Sequence, residues 1–367
     1  MKNIIKVWSN EESYIKYRRK FINIFDKVSN SSQIILGPEV KNFENKFSKS
    51  TGNKYGIGVN SGTDALEIIL MSLGIGKGDE VITTSNTAVP TVSAIVSCNA
   101  KPVFVDIREE DFLIDTSLIE KKISKKTKAI IAVNLYGQCV DFKTIKKITK
   151  KRKIHLIEDC AQSTGSYQRG FPSGSFGIMS AFSFYPTKNL GALGDGGMVV
   201  TNNKFFYNKA LQLRKYGMSK QYYSNFHGIN SRLDELHAAI LNFKLKKLKS
   251  CIVKRRKIAQ MYSEKIKNPK LILPTQNEDN YHSYYVFVVR HKKRTQFMNY
   301  LKKNNIICNI SYPFPIHLMR GYKYLGYKKG DLKVTEKIAK EIFSLPMYPE
   351  LSFKKVNYII DVINKYR

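Results

Sequence analysis

Short apolar runs alternate along the chain with longer segments whose apolar positions recur at helical spacing. Tyr55–Val59, Glu80–Thr84, Pro102–Asp106, Lys128–Val133 and Ile154–Glu158 read as strands. Between them, Ala65–Leu73, Val89–Cys98 and the lysine-rich Phe142–Lys151 read as helices, and Leu36-Gly37-Pro38 as a turn entering another near Phe43 and Phe47. Ala181–Phe184 reads as a buried strand end and Met198–Thr201 as the strand that follows it. This alternation predicts an α/β fold with a mostly parallel sheet and helices on both faces. Past Lys204 the pattern turns helical as far as Lys246. A basic helix, Val253–Ile266, then leads to a smaller region with a strand at Tyr284–Val289. The expected domains are 1–250 (large) and 251–367 (small). No internal repeat or low-complexity linker interrupts them.

Composition narrows the picture without changing it. With 367 residues, 43% hydrophobic and 12% aromatic, the chain can bury a large core. The longest apolar runs are far too short to span a bilayer, and the first twenty residues lack a signal-peptide pattern. Five scattered cysteines, with no CxxC pair, fit a reduced cytoplasmic protein without disulfides or zinc. The net charge of +33 is mostly lysine spread along the whole chain, with no Arg-rich helix and no aromatic-interleaved basic motif. It reads as a solvated surface, so neither nucleic acid nor membrane is expected as a partner. A positive field would still draw in an anionic substrate such as a nucleotide diphosphate sugar.

In open α/β sheets, ligands bind beyond the carboxyl ends of the strands, and Asn86, Asp159 and Lys188 fall at such ends. Ser180–Thr201 carries a single lysine, Lys188, followed by Gly191, Gly194, Gly196 and Gly197, so a planar ligand can approach closely. This arrangement suits a lysine in Schiff-base linkage to pyridoxal 5'-phosphate (PLP), and hence a transaminase. Asp159 closes an apolar strand, where a carboxylate needs a partner. PLP enzymes place such a group against the pyridine nitrogen, keeping it protonated so that the ring acts as an electron sink. Ala161 is small enough to pack on that ring, with Gln162 near the ring hydroxyl. Ser61-Gly62-Thr63 joins a strand to a helix start, a ready anion site that also reads as a plain helix cap.

Taken together, the segments LGPEVKNFE, NSGTDALE, GIGKGDEVIT, PVFVDI, LYGQ, IEDCAQS, GSFG, FSFYPTKNLGALGDGGMVVT, NSRLDELHAAIL and LPMYPEL resemble the DegT/DnrJ/EryC1/StrS sugar aminotransferases. The resemblance runs from Leu36 to the C-terminus. It implies the aspartate-aminotransferase-like fold (PLP-dependent transferase type I), with a seven-stranded large domain and a small α+β domain. It further implies Lys188 as the Schiff-base lysine, Asp159 as the pyridine partner and Gln162 as a contact to the ring hydroxyl. Gly62, Thr63 and Ser183 would hold the phosphate, and Asn86 would line the cofactor. Asn230 would reach the phosphate of the neighbouring subunit, so a homodimer with shared active sites is expected. The sequence departs from the pattern at Ala88, where relatives often carry a stacking aromatic ring; Asn86 or Thr87 is expected to line that face.

On the substrate side the candidates are Tyr185, Tyr216 and His317. The glycine-rich loop and Tyr185 resemble the members that aminate 3-keto-6-deoxyhexoses on a dTDP carrier with L-glutamate as amino donor. The expected outcome is a 3-amino-3,6-dideoxyhexose for a surface glycan, with pyridoxamine 5'-phosphate as the alternate cofactor form. Rival readings are a C4 aminotransferase acting on a UDP- or dTDP-4-keto sugar, a dehydratase with histidine in place of the lysine, and a regulatory nucleic-acid binder on the same fold.

Overall fold

A computed structural model of the protein describes residues 4–367. Its centre is a seven-stranded sheet built from β1 (Tyr55–Val59), β2 (Glu80–Thr84), β3 (Lys101–Val105), β4 (Thr127–Val133), β5 (His155–Asp159), β6 (Met179–Ser183) and β7 (Gly197–Thr201). The strand order is β1-β7-β6-β5-β4-β2-β3. Only β7 runs antiparallel, to both β1 and β6. Nearly every residue of β4 to β7 is buried, as expected for strands covered on both faces. The resulting core joins Ile57, Ile82, Ile130, Ile157 and Val199 to helix residues such as Leu66, Ile95 and Ile145.

The helices follow the expected apolar stripes. They include α1 (Glu11–Asn30), α2 (Pro38–Ser50), α3 (Gly62–Ser72), α4 (Val89–Ser97) and α5 (Phe142–Arg152). The sequence reading did not anticipate α1, although Phe21, Ile24 and Val28 bury one face of it. The expected helical stretch from Lys204 to Lys246 is corrected: α6 (Lys204–Leu213) and α7 (Glu235–Leu245) are separated by a strap, residues 214–234, with a short hairpin at its centre. Gly217 (φ +75°) explains the break. The Phe226 carbonyl lies against it so closely that no side chain could be accommodated there.

After α8 (Leu248–Lys265), a second core gathers Tyr262, Phe287, Phe297, Phe343, Val356 and Ile359 around the pair β8 (Phe287–Arg290) and β9 (Ile342–Leu345). The expected strand from Tyr284 begins three residues later, because Tyr284 has φ 47° and sits in a turn. Ile5 joins this second core and bridges to Ile306. A boundary near residue 250 is the division we propose from these two cores.

Candidate active site

Adjacent residues of β5 point to opposite faces of the sheet and do different work. Glu158, fully buried, accepts from the backbone N–H groups of Gly174 (2.9 Å), Phe176 (2.6 Å) and Gly177 (2.9 Å) and from Ser180 Oγ (3.1 Å). It fixes the loop that brings β6 back into the sheet. Asp159, next in the chain and 5% exposed, faces the other way. Its Oδ2 accepts from Thr91 Oγ1 at 2.8 Å and its Oδ1 from the Ala161 N–H at 3.0 Å. Burial pushes the Asp159 carboxyl above its ordinary value, against the pull of these two donors and of the nearby Lys188 ammonium. A buried carboxylate held by two hydrogen bonds still has room for a cationic partner.

Lys188 lies just beyond β6, its backbone N–H turned back to the Tyr185 carbonyl at 2.9 Å. Its Nζ sits 4.7 Å from the centroid of the Tyr285 ring. Tyr285 follows Tyr284 of the second core, and its hydroxyl is 3.0 Å from Thr187 Oγ1. Arg255, fully buried on α8, holds this turn by donating to the carbonyls of Tyr284 (3.3 Å), Tyr285 (3.1 Å) and Met347 (3.0 Å). Burial brings its guanidinium down to about 10.

The anion cradle forms where α3 begins. Ser61 caps the helix, its Oγ accepting from the Asp64 N–H at 3.0 Å, so the cap reading holds. Capping leaves the N–H groups of Gly62 and Thr63 without a partner among the described residues, at the positive end of the helix. A Cβ on Gly62 would meet Ser183 Cβ at 2.9 Å, so glycine keeps the space between these residues open. Ser183 Oγ accepts from the Tyr185 N–H at 3.3 Å and retains its own proton to donate.

Other expected residues are placed as follows. The Gln162 amide is engaged at both ends: its Oε1 accepts from the Tyr136 N–H at 2.8 Å and its Nε2 donates to the Tyr312 hydroxyl, leaving one amide hydrogen free. Asn86 and Thr87 are buried. Asn86 Nδ2 lies 3.4 Å from the Phe112 carbonyl, while Thr87 pairs with Thr91 at 2.9 Å and so joins the chain of hydroxyls ending at Asp159. Tyr185 and Tyr216 are exposed, and neither hydroxyl has a hydrogen bond among the described residues. Asn230 is exposed on the strap, beside Ser231, which is tied to the Asn60 N–H (3.0 Å) and to Asp64 (2.6 Å).

His317 is held in the interior. It is 1% exposed, with Nδ1 2.8 Å from Ser85 Oγ and Nε2 3.2 Å from Glu336. With both nitrogens engaged inside the protein, His317 docks its loop on the end of β2 and offers no free nitrogen to a sugar. Thr91, Tyr285 and Tyr312 were missed by the sequence reading. Each reaches the site from a distant segment, and none carries a local signal.

A model of the DegT/DnrJ/EryC1/StrS aminotransferase family matches residues 16–364. The chain is 44% identical over 98% of its length to the dTDP-3-amino-3,4,6-trideoxy-alpha-D-glucose transaminase of Micromonospora megalomicea subsp. nigra, of which 98% is covered. It is 43% identical to the dTDP-3-amino-3,6-dideoxy-alpha-D-galactopyranose transaminase of Aneurinibacillus thermoaerophilus, with 96% of each chain covered. Identity to a UDP-2-acetamido-2-deoxy-3-oxo-D-glucuronate aminotransferase of Pseudomonas aeruginosa is 38%, over 91% of this chain and 92% of that one. Among solved structures, Streptomyces venezuelae DesV with a ketimine intermediate superposes with a TM-score of 0.96 at 34% identity, covering 99% of this chain and 98% of that one. The PLP form of a sugar aminotransferase from Streptococcus pneumoniae gives a TM-score of 0.88 at 27% identity, with 94% and 95% covered. The chain belongs to the DegT/DnrJ/EryC1/StrS aminotransferase family.

Proposed function

We propose that the protein is a PLP-dependent nucleotide-sugar aminotransferase that moves the amino group of L-glutamate to a dTDP-linked 3-keto-6-deoxyhexose. The observation that carries the reading is the buried Asp159, held by Thr91 and Ala161 with Lys188 nearby and acceptor sites left unused. The residues suit the cofactor: a buried carboxylate with unused acceptor sites for a protonated ring nitrogen, and at Gly62–Thr63 a helix start with free N–H groups for a phosphate. When bound, PLP supplies the electron sink.

The chain's own groups then divide the work. Lys188 anchors the cofactor covalently and, once released, carries a proton between its Nζ and the carbon that gains or loses the amine. Asp159 holds the ring-nitrogen proton in place. Gly62, Thr63 and Ser183 bind the phosphate, and the remaining amide hydrogen of Gln162 orients the ring hydroxyl. Tyr185 and Tyr216, with free hydroxyls, contact the sugar. A second copy of the chain completes the site through Asn230. The exposed Ile15, Ile22 and Phe25 of α1, with Ile34 and Ile35 after it, supply apolar surface for that homodimer.

The 3-amino products named for two relatives favour the C3 position. The second reading, amination at C4, is favoured by a GDP-perosamine synthase that is 35% identical. Incubation of the purified protein with glutamate and dTDP- or UDP-linked 3-keto and 4-keto sugars, followed by mass and NMR analysis, tests the choice. Product aminated at C3 of the dTDP sugar is expected. Amination only at C4 would replace the first reading with the second.

A further inference from the structure

The parallel sheet has a second edge, a strand's length (roughly 17 Å) from Asp159, where its strands begin. The fold gathers there lysines that are scattered in sequence. The Glu80 N–H donates to the Lys126 carbonyl (2.9 Å) and the Lys101 N–H to the Asp79 carbonyl (2.8 Å), setting the starts of β2, β3 and β4 side by side. Lys151 and Arg152, at the end of α5, reach Glu120 at 3.2 Å and 3.5 Å, which joins the start of β5 to the same edge.

The carboxylates here are engaged. Glu80 pairs with Lys101 (3.3 Å) and accepts from Ser124 Oγ (2.6 Å), Glu120 holds the α5 cations, and Asp79 accepts from the Gly76 N–H (3.0 Å). Lys77, Lys121, Lys122, Lys125, Lys126 and Lys153 are exposed and form no ion pair among the described residues. Two of them, Lys77 and Lys126, line a shallow cleft of about 600 Å³ together with Lys101, Tyr324 and Leu325, the Tyr324 residue being 67% exposed.

We infer that this lysine edge docks the protein on an anionic phospholipid surface. Excess cation without matching carboxylates gives the charge complementarity. An exposed tyrosine and a leucine at the same level suit a headgroup boundary, where amphipathic rings settle. The cations are almost all lysines, point charges that suit a fluid layer of headgroups; arginine forks are the usual readers of nucleic acid. No helix among the described residues is long and apolar enough to cross a membrane, so contact is peripheral. Docked this way, the strand ends that carry Lys188 face away from the bilayer. The sequence alone suggested an evenly solvated lysine surface, because these residues come together only when parallel strands align their starts.

The test is co-sedimentation of the full-length protein with vesicles of phosphatidylcholine, alone or mixed with phosphatidylglycerol. Binding to the mixed vesicles only is expected, weakening as salt rises. The triple variant Lys122→Gln, Lys125→Gln, Lys126→Gln lowers partitioning on the order of 100-fold, about fivefold per lysine. An equal charge removal on the small domain, Lys292→Gln, Lys302→Gln, Lys303→Gln, leaves it within a few-fold of the parent. Equal losses in the two triples, indifference to the anionic lipid, or transfer of the bound protein to added duplex DNA would each overturn the inference.

Discussion

Replacing Thr91 with valine removes one hydroxyl and keeps the shape of the side chain. Thr91 Oγ1 is one of two donors to the buried Asp159 carboxylate, at 2.8 Å; the Ala161 N–H is the other. A hydrogen bond to a charged acceptor contributes about 1.5–3 kcal/mol net. Its loss disfavours the ionised carboxylate, and with it the attraction for a protonated ring nitrogen. Cofactor affinity should fall roughly 10- to 150-fold by the tenfold-per-1.4 kcal/mol conversion, and kcat should fall with it. Absorbance titration of the apoprotein with PLP reads the affinity, and steady-state kinetics at saturating cofactor read the rest. Thr87→Val is the matched control: it removes the donor to Thr91 at 2.9 Å and leaves the Thr91–Asp159 contact in place. Parental cofactor affinity in Thr91→Val, or an equal loss in Thr87→Val, would refute the claim that Thr91 acts through Asp159.

Two further predictions concern stability. Arg214 Nη1 pairs with Glu44 Oε1 at 2.5 Å and donates to the Gly58 carbonyl at 2.8 Å, all in the interior. Arg214→Met strands a buried carboxylate and should cost about 3–5 kcal/mol in urea unfolding, part of it recovered by adding Glu44→Met; a loss below 1 kcal/mol would contradict this. His282 is fully buried, its Nδ1 accepting from the Tyr284 N–H at 2.9 Å, and burial brings the imidazole down to about 3 from 6.5. Because the unfolded chain takes up this proton more readily, its contribution is intact above pH 6.5 and is lost as the pH falls toward 3. The slope is about 1.4 kcal/mol per pH unit, and a His282→Asn variant should lack that part of the acid sensitivity. An unchanged slope in the variant would assign the sensitivity to other groups.

The strand-end residues were legible in the sequence because their chemistry coincides with local breaks in pattern. Asp159 ends an apolar run, Lys188 follows a proline and precedes glycines, and Gly62 sits between a strand and a helix. Residues whose role depends on distant packing left no such mark. Thr91 is 68 residues from Asp159 and lies within an ordinary helix turn. Tyr285 belongs to a segment that reads as strand, yet sits in the turn pinned by Arg255. His317 shows the converse: the motif drew attention to it, but Ser85 and Glu336, which occupy its nitrogens, are far away in sequence. The strap at 214–234 escaped notice because its helical apolar spacing outweighed the signal from Gly217, whose packing against Phe226 appears only in the folded chain.

The central claim is that the Lys188 amine holds the cofactor. Incubation of the purified protein with PLP, reduction with borohydride, proteolysis and mass spectrometry test it most directly. The account predicts the reduced cofactor on the peptide that carries Lys188, and no stable label in a Lys188→Ala variant that remains folded. A label on a different lysine, or undiminished labelling of the variant, would contradict it.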